Sequence, residues 1–388
     1  MGSSSELPRA AALCIPRLYE GGAEKVMAHM AGWWAERGVH VHLVTFHASP
    51  RDFPLHPAVR RTLLDDVPDA PFPRLDPWPQ ESRNVGALRQ VFLRILREEG
   101  VERLPVLSFL ARMNMRCLFA AQGLPCRVVI SERTYPPALF LGEHDEALRR
   151  QSYPLADALV VQTEYTRQHW GNGMVGPAKC HALPNACLPQ AAPPQAIPLP
   201  EGQDFFLAIG RLAPEKRHDM LLRAFAETLS RFPRLHLYLA GSGELEQPLR
   251  ELCRQLHLEK RTTFLGHVAD VRPWLRQARA IVHPSEFEGF PNVLLEALAE
   301  RCPMIATDCL TGPSEIIRQG QNGFLVPVND QTALTDAMLR ILDADVQRAF
   351  RENMRVFPRE FSADGVMRAW TRLLSGRRAD ASAPAREA

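Results

Sequence analysis

The feature that most constrains this chain is an alternation that runs, stops and restarts. Short apolar runs, "AALCIP", "VHVHLVTF", "LPVLSF", "RVVIS" and "ALVVQT", are separated by amphipathic stretches such as "AEKVMAHMAGWWAERG" and "VGALRQVFLRILREEG", each of these two ended by a glycine. Near-continuous apolar runs of this length read as strands buried on both faces. The amphipathic stretches between them supply the crossovers that parallel strands require. The pattern predicts a doubly wound α/β sheet. It then breaks at "NACLPQAAPPQAIPLPEGQD", where prolines replace apolar periodicity, and resumes with "FFLAIG", a helix from about His218, "LHLYLAG", "TTFLG", "ARAIVHP" and "PMIAT".

The length of 388 residues exceeds one ordinary core and suits two. The expected plan is a first domain over 1–185, a Pro-rich linker over 186–204 and a second domain over 205–360. A last helix over 361–375 is expected to pack back on the first domain through Trp370 and Leu373–Leu374, with a disordered tail over 376–388. Two Rossmann-like, doubly wound domains on a hinge imply a cleft across which they face. Ligands of such sheets bind beyond the carboxyl ends of the strands.

Composition removes several function classes. A net charge of +2, with no basic run, argues against nucleic acid as partner. The eight cysteines form no CxxC pair and several lie in apolar runs, so they read as reduced core residues of a cytoplasmic protein rather than as zinc ligands. The N-terminal stretch lacks the apolar segment of a signal peptide, and no apolar run approaches the roughly 20 residues that span a bilayer. Any membrane contact is expected to be peripheral. Trp33 and Trp34 in one helix and Arg89, Arg94 and Arg97 in another suit either an interfacial helix or ordinary core packing with a basic face.

The candidate residues lie in loops after strands. Gly21 and Gly22 in "RLYEGGAEK" precede a helix whose free N–H groups suit a phosphate, although a plain strand–helix turn explains them too. Arg211 and Lys216 in "GRLAPEKRHD" leave one strand end together; two cations there can neutralise a diphosphate, or be solvated surface charges. "LAGSGELE" fails the GxGxxG spacing at Glu246. In "FLGHVADVRPWL", backbone groups from Gly266 to Val268 can pass across a flat base. In "EFEGFPNVLLEAL", Glu288 and Gly289 stand before a helix, with Pro291 in its first turn and Glu296 about two turns in. A carboxylate beside an anion-binding helix end is tolerable when it accepts hydrogen bonds from neutral hydroxyls, which a sugar on a diphosphate and a ribose supply.

The E-x7-E pair Glu288 and Glu296 within "SEFEGFPNVLLEALA", with "GRLAPEKRHDMLLRAF", "GGAEKV", "FLGHVADV" and "TGPSEIIRQGQNGFLV", resembles the retaining glycosyltransferases of family 4, which have the GT-B fold. "SERTYPP" with "ATDCLTGPSEII" is similar to bacterial members that build surface polysaccharides, lipopolysaccharide and lipid-linked glycans. The resemblance covers nearly the whole chain in order. It departs from the family at Arg301, where a glycine is usual.

The resemblance implies an acceptor-binding first domain and a nucleotide-sugar-binding second domain. Arg211 and Lys216 would clamp the donor diphosphate and, with Glu288, carry catalysis. Glu288 would hold hydroxyls of the transferred sugar beside the backbone N–H groups of Gly289 and Phe290. Glu296 would bind the ribose, Val268 would meet the base, and Gly22 would reach the phosphates. Glu132 and Arg133 would lie on the acceptor or sugar side. The implied reaction moves a hexose or N-acetylhexosamine, with retention, from a nucleotide sugar (UDP favoured over GDP) to a glycan or lipid-linked acceptor. It implies no cofactor and no metal, and a place in the cytoplasm or at the cytoplasmic face of an anionic inner membrane. The Asp343–Ala344–Asp345 triplet reads as a helix cap, not a metal site. Two alternatives stand beside this reading. One is a catalytically inactive GT-B scaffold in a glycan assembly complex, against which the intact Arg211, Lys216, Glu288 and Glu296 speak. The other is a two-Rossmann dehydrogenase, against which the failed fingerprint speaks.

Overall fold

The computed structural model describes residues 7–19, 21–68, 79–188 and 203–376. Most of the expected linker (189–202) and nearly all of the expected tail (377–388) lie outside the described residues. The chain divides into two compact units. Unit 1 comprises Met1–Ala186 together with Ala363–Ala388, and unit 2 comprises Cys187–Ser362.

Among the described residues, unit 1 is built on a seven-stranded parallel sheet. Its strands are β1 (Ala10–Cys14), β2 (His40–Thr45), β3 (Arg60–Leu63), β4 (Leu104–Phe109), β5 (Cys126–Ser131), β6 (Ala158–Val161) and β7 (Cys180–Ala182). The order is β3-β2-β1-β4-β5-β6-β7. Unit 2 carries a six-stranded parallel sheet of β8 (Phe205–Ile209), β9 (His236–Ala240), β10 (Thr262–Gly266), β11 (Ala280–His283), β12 (Met304–Thr307) and β13 (Gly323–Val326), in the order β10-β9-β8-β11-β12-β13.

Both orders reverse direction once. The reversal falls between β1 and β4 in unit 1 and between β8 and β11 in unit 2. The loops that follow these strand pairs diverge to opposite faces of the sheet and leave a crevice, the usual ligand site of doubly wound sheets. The strands that make it are the apolar ones: β1, β4 and β11 are buried along their whole length, and β8 along all but its last residue, Ile209.

The last helix, Ala363–Leu374, belongs to unit 1 although unit 2 precedes it in sequence. Its buried residues Val366, Met367, Trp370, Thr371, Leu373 and Leu374 form one helical stripe. Trp370 lies 5.9 Å from the Phe109 ring, and Trp34 Nε1 donates to Thr371 Oγ1 at 2.9 Å. Trp34 is thus a core residue, which corrects the interfacial option for this side chain. Trp33 is half-buried under the Arg37 guanidinium, 3.7 Å from the ring centroid. Arg89 donates to the carbonyls of Ala120 and Gln122 at 2.9 and 2.6 Å, so it fastens a loop rather than a basic outer face. Among the described residues no helix is long and apolar enough to cross a membrane.

Two further local expectations meet the structure. Asp343 caps the helix Ala344–Asn353, accepting from the backbone N–H of Asp345 and Val346. Arg301, standing where the resemblance would place glycine, takes the left-handed conformation at φ 54° after the helix Asn292–Ala299. A non-glycine residue bears a cost of about 1 kcal/mol there.

Candidate functional site

The crevice of unit 2 is lined by the loops after β8 and β11, and each is shaped by its backbone. After β8 the chain passes Gly210, makes a tight turn over Pro214–Lys216, and enters the helix His218–Leu229 through Arg217 at φ 49°. The loop after β9 is pressed against it. Gly210 N–H donates to the Ala240 carbonyl at 3.0 Å and Leu212 N–H to that of Ser242 at 3.0 Å. Gly241 has φ 141°, and a Cβ there would stand 1.8 Å from the Gly210 carbonyl oxygen. A Cβ at Gly243 would likewise stand 2.4 Å from the Leu212 carbonyl oxygen, so this crossing of two backbones, not a dinucleotide fingerprint, accounts for both glycines of "AGSG".

After β11 the chain runs from Pro284 to the cap residue Pro291 and then into the helix Asn292–Ala299. Pro291 stands one position earlier than expected, outside the first turn. Glu296 consequently lies just over one turn into the helix rather than two, and is partly buried. The loop is tied on both sides. Glu286 N–H donates to the Glu215 carbonyl at 2.8 Å, and Thr311 Oγ1 donates to the Glu288 carbonyl. Gly312, at φ 99°, brings the loop after β12 so close that a Cβ would stand 2.6 Å from Pro291 Cδ.

These ties place the Glu288 side chain against Lys216 and His283. Lys216 Nζ donates to Glu288 Oε1 at 2.5 Å, and His283 Nε2 reaches the same oxygen at 2.6 Å. All three side chains are largely buried: 17% exposed for Lys216, 11% for Glu288 and 5% for His283. Burial alone would raise the Glu288 carboxyl. The neighbouring His283 and Lys216, through charge and hydrogen bonding, outweigh it and hold the group well below the usual carboxylate range. Glu288 is therefore ionised at neutral pH, and Nε2 of His283 must bear a proton to donate to it. Nearby His218 is pushed down to about 4, by burial first and then by His283 and Lys216, so it is neutral.

The other residues of unit 2 singled out in the sequence each have their own surroundings. Arg211 is 69% exposed on the loop that ends in Lys216, with Nη2 2.5 Å from Glu215 Oε1. It is not joined to the Lys216–Glu288 pair. The Phe290 side chain is core, 6% exposed and 6.0 Å from the Phe361 ring, which leaves its backbone for any ligand. Gly289 is half-buried, and Val268 is a partly buried residue packed on the same core. His283, Ser285, Glu215 and Thr311 were not singled out in the sequence. The signal for His283 was present: it ends an apolar strand run, directly before Pro284.

In unit 1, Gly22 opens the helix Gly22–Ala35 behind Gly21 at the cap. A carboxylate already stands at this helix start: Glu24 is buried and paired with Arg17 at 3.3 Å. Glu132 and Arg133 follow β5. Glu132 accepts a hydrogen bond from the Tyr153 hydroxyl, and Arg149 Nη1 stands 3.7 Å away. Burial raises this carboxyl to about 7 against those two groups. The Arg133 guanidinium lies 4.4 Å over the Phe109 ring and donates to Asn185 Oδ1. Burial lowers it to about 9, which leaves it charged at neutral pH. Among the described residues no group of three or more His, Cys, Asp or Glu side chains is placed to hold a metal ion.

Two family models tile the chain: a glycosyl transferase 4-like domain matches residues 21–186, and glycosyl transferases group 1 matches residues 190–357. An exopolysaccharide phosphotransferase of Streptomyces coelicolor is 34% identical over 263 residues, which are 65% of this chain and 26% of that protein. The chain thus spans about a quarter of that relative's length. A Campylobacter jejuni α-1,4-N-acetyl-D-galactosaminyltransferase, named for an undecaprenol-diphosphate-linked GalNAc substrate, is 26% identical over 370 residues. Those cover 93% of this chain and 97% of that one. The solved structure of Anabaena HepE in complex with UDP-glucose matches with a TM-score of 0.75 at 17% identity, over 95% of this chain and 99% of that one.

Proposed function

For this chain, which belongs to the glycosyltransferases of GT-B fold, we propose a metal-independent, retaining transfer of a hexose or N-acetylhexosamine. The donor is a nucleotide sugar, UDP-linked in preference to GDP-linked, and the acceptor is a glycan or lipid-linked glycan of bacterial polysaccharide biosynthesis. The observation that carries the reading is the Glu288 carboxylate, ionised in a buried place and fixed at the switch point of unit 2 by Lys216 and His283.

Each group then has a task. Lys216 and Arg211 neutralise the diphosphate as it leaves, which is where negative charge grows in the transition state. Glu288 accepts hydrogen bonds from hydroxyls of the sugar, and these tighten as the ring becomes cationic. The N–H groups of Gly289 and Phe290 stand beside it, and Glu296 takes the ribose. The bond from the anomeric carbon to the leaving phosphate oxygen breaks while the acceptor oxygen approaches the same face. The acceptor proton passes to the leaving diphosphate. A lipid-linked acceptor is supported by the name of the Campylobacter relative, and it would place the enzyme at the cytoplasmic face of the membrane. Glu132 and Arg133 fall on the acceptor side in this scheme.

A panel of nucleotide sugars tested by thermal shift finds the donor, since a ligand at 100 times its dissociation constant adds about 2.7 kcal/mol. With that donor, hydrolysis or transfer is expected to persist in excess EDTA. Lys216→Ala and Arg211→Ala are expected to lower turnover by roughly 100-fold or more. Wild-type kinetics in both variants, or loss of activity in EDTA restored by magnesium, would overturn the scheme.

A further inference from the structure

The two donors on Glu288 both reach Oε1. Among the described residues no side-chain or backbone donor reaches Oε2, so the carboxylate is pinned at one oxygen and open at the other. The two pins differ in kind. Lys216 ends a flexible four-carbon stem and carries a compact charge that turns readily toward a stronger anion. His283 is the last residue of β11, with a short and stiff side chain, and Ser285 Oγ stands 3.2 Å from the same Nε2.

A conflict follows within the function proposed above. Lys216 is needed by the donor diphosphate, yet it also holds the carboxylate that must face the sugar. If the ammonium turns to the phosphates, Glu288 loses a partner at the moment that a second anion arrives. A buried carboxylate left alone is expensive and free to rotate. We propose that His283 is a positioning residue for sugar transfer: its Nε2–H keeps Glu288 aligned, with Oε2 toward the sugar, when Lys216 engages the diphosphate. This inference rests on the donor-site reading of unit 2.

The test uses two amides of different reach on the full-length chain. Glutamine places its side-chain N–H groups where Nε2 of histidine lies, whereas asparagine reaches only as far as Nδ1. His283→Asn is expected to lower kcat roughly 30-fold, the worth of one hydrogen bond to a charged group. Its affinity for UDP or GDP, whichever stabilises the wild type, should stay within about threefold, because in this scheme Glu288 contacts the sugar and not the nucleotide. His283→Gln is expected to recover at least about tenfold of the lost kcat. Equal turnover in the two variants, or a nucleotide affinity that falls as far as kcat, would overturn the inference. Melting temperatures of both variants separate a folding defect from a catalytic one. Lys216→Ala distinguishes the two levels. If it keeps wild-type turnover and nucleotide affinity, the donor-site reading itself fails. If it is impaired while both His283 variants match the wild type, only the role of His283 fails.

Discussion

Glu132 and Glu288 occupy similar stations and reach opposite states. Each follows a parallel strand at its carboxyl end, β5 in unit 1 and β11 in unit 2, and each is nearly removed from water. Burial raises both carboxyls. At Glu288, two donors within 2.6 Å reverse the effect and leave a fixed negative charge. At Glu132, the Tyr153 hydroxyl and a guanidinium 3.7 Å away only moderate it, and the group settles at about 7. Depth does not set the charge of a buried acid; the distance and number of its partners do. Unit 2 therefore presents a permanent anion, and unit 1 a group poised between two states at neutral pH.

The largest expected effect breaks this symmetry in activity. Glu288→Gln removes the charge that the site is built to hold, and turnover with the cognate donor should fall roughly 10³-fold. Glu132→Gln mimics the protonated form already populated at neutral pH. Measured below pH 6, it should stay within about threefold of the wild type. Equal losses in the two variants at that pH would show that both units need a carboxylate, and the contrast would be lost.

A second effect is read in stability. The folded chain holds the Glu132 proton up to about 7, whereas an ordinary glutamate releases it near 4.5. Stability is therefore fully retained below pH 4.5, declines as pH rises toward 7, and levels above it. The gap corresponds to about 3 kcal/mol. Glu132→Gln removes the loss, so its urea midpoint should match the wild type near pH 4 and exceed it at pH 8. Glu288 has the opposite sign. Its folded value is depressed, so its contribution is present above pH 4.5 and lost as pH falls. An unchanged midpoint difference between pH 4 and pH 8 would refute the assignment for Glu132.

The smallest effect serves as a control with no titrating group. Arg301→Gly relieves a left-handed backbone and should gain about 0.5–1 kcal/mol. The gain should be the same at pH 4 and pH 8. A pH-dependent gain there would mean that the dependence seen with Glu132 comes from the protein at large.

Much of the fold was legible in the sequence because its central strands are uninterrupted apolar runs. The strands that escaped lie at sheet edges: β3 is "RRTL", β7 is "CHA" and β13 is "GFLV". An edge strand is covered on fewer sides, so it need not be long or apolar. The site was legible as far as position goes, since Lys216 and Glu288 stand at the ends of strands that read plainly. Their pairing was not, because linear spacing says nothing about which side chains meet across a switch point. His283 carried only a positional signal, the last place of an apolar strand before a proline, and within "AIVH" it also reads as one more buried position. Trp34 stayed open between two readings, since an amphipathic helix shows the same pattern whether its apolar face meets lipid or, as here, another helix.

The return of the helix Ala363–Leu374 to unit 1 has a consequence for the order in which this chain is made. Residues 187–362 make up unit 2, and all of them are translated before the last helix emerges from the ribosome. The unit translated first must wait longest. Until Trp370 and Thr371 arrive, Phe109 lacks its ring partner and Trp34 its hydrogen bond. The nascent protein thus carries an open apolar seam on unit 1 throughout the synthesis of unit 2.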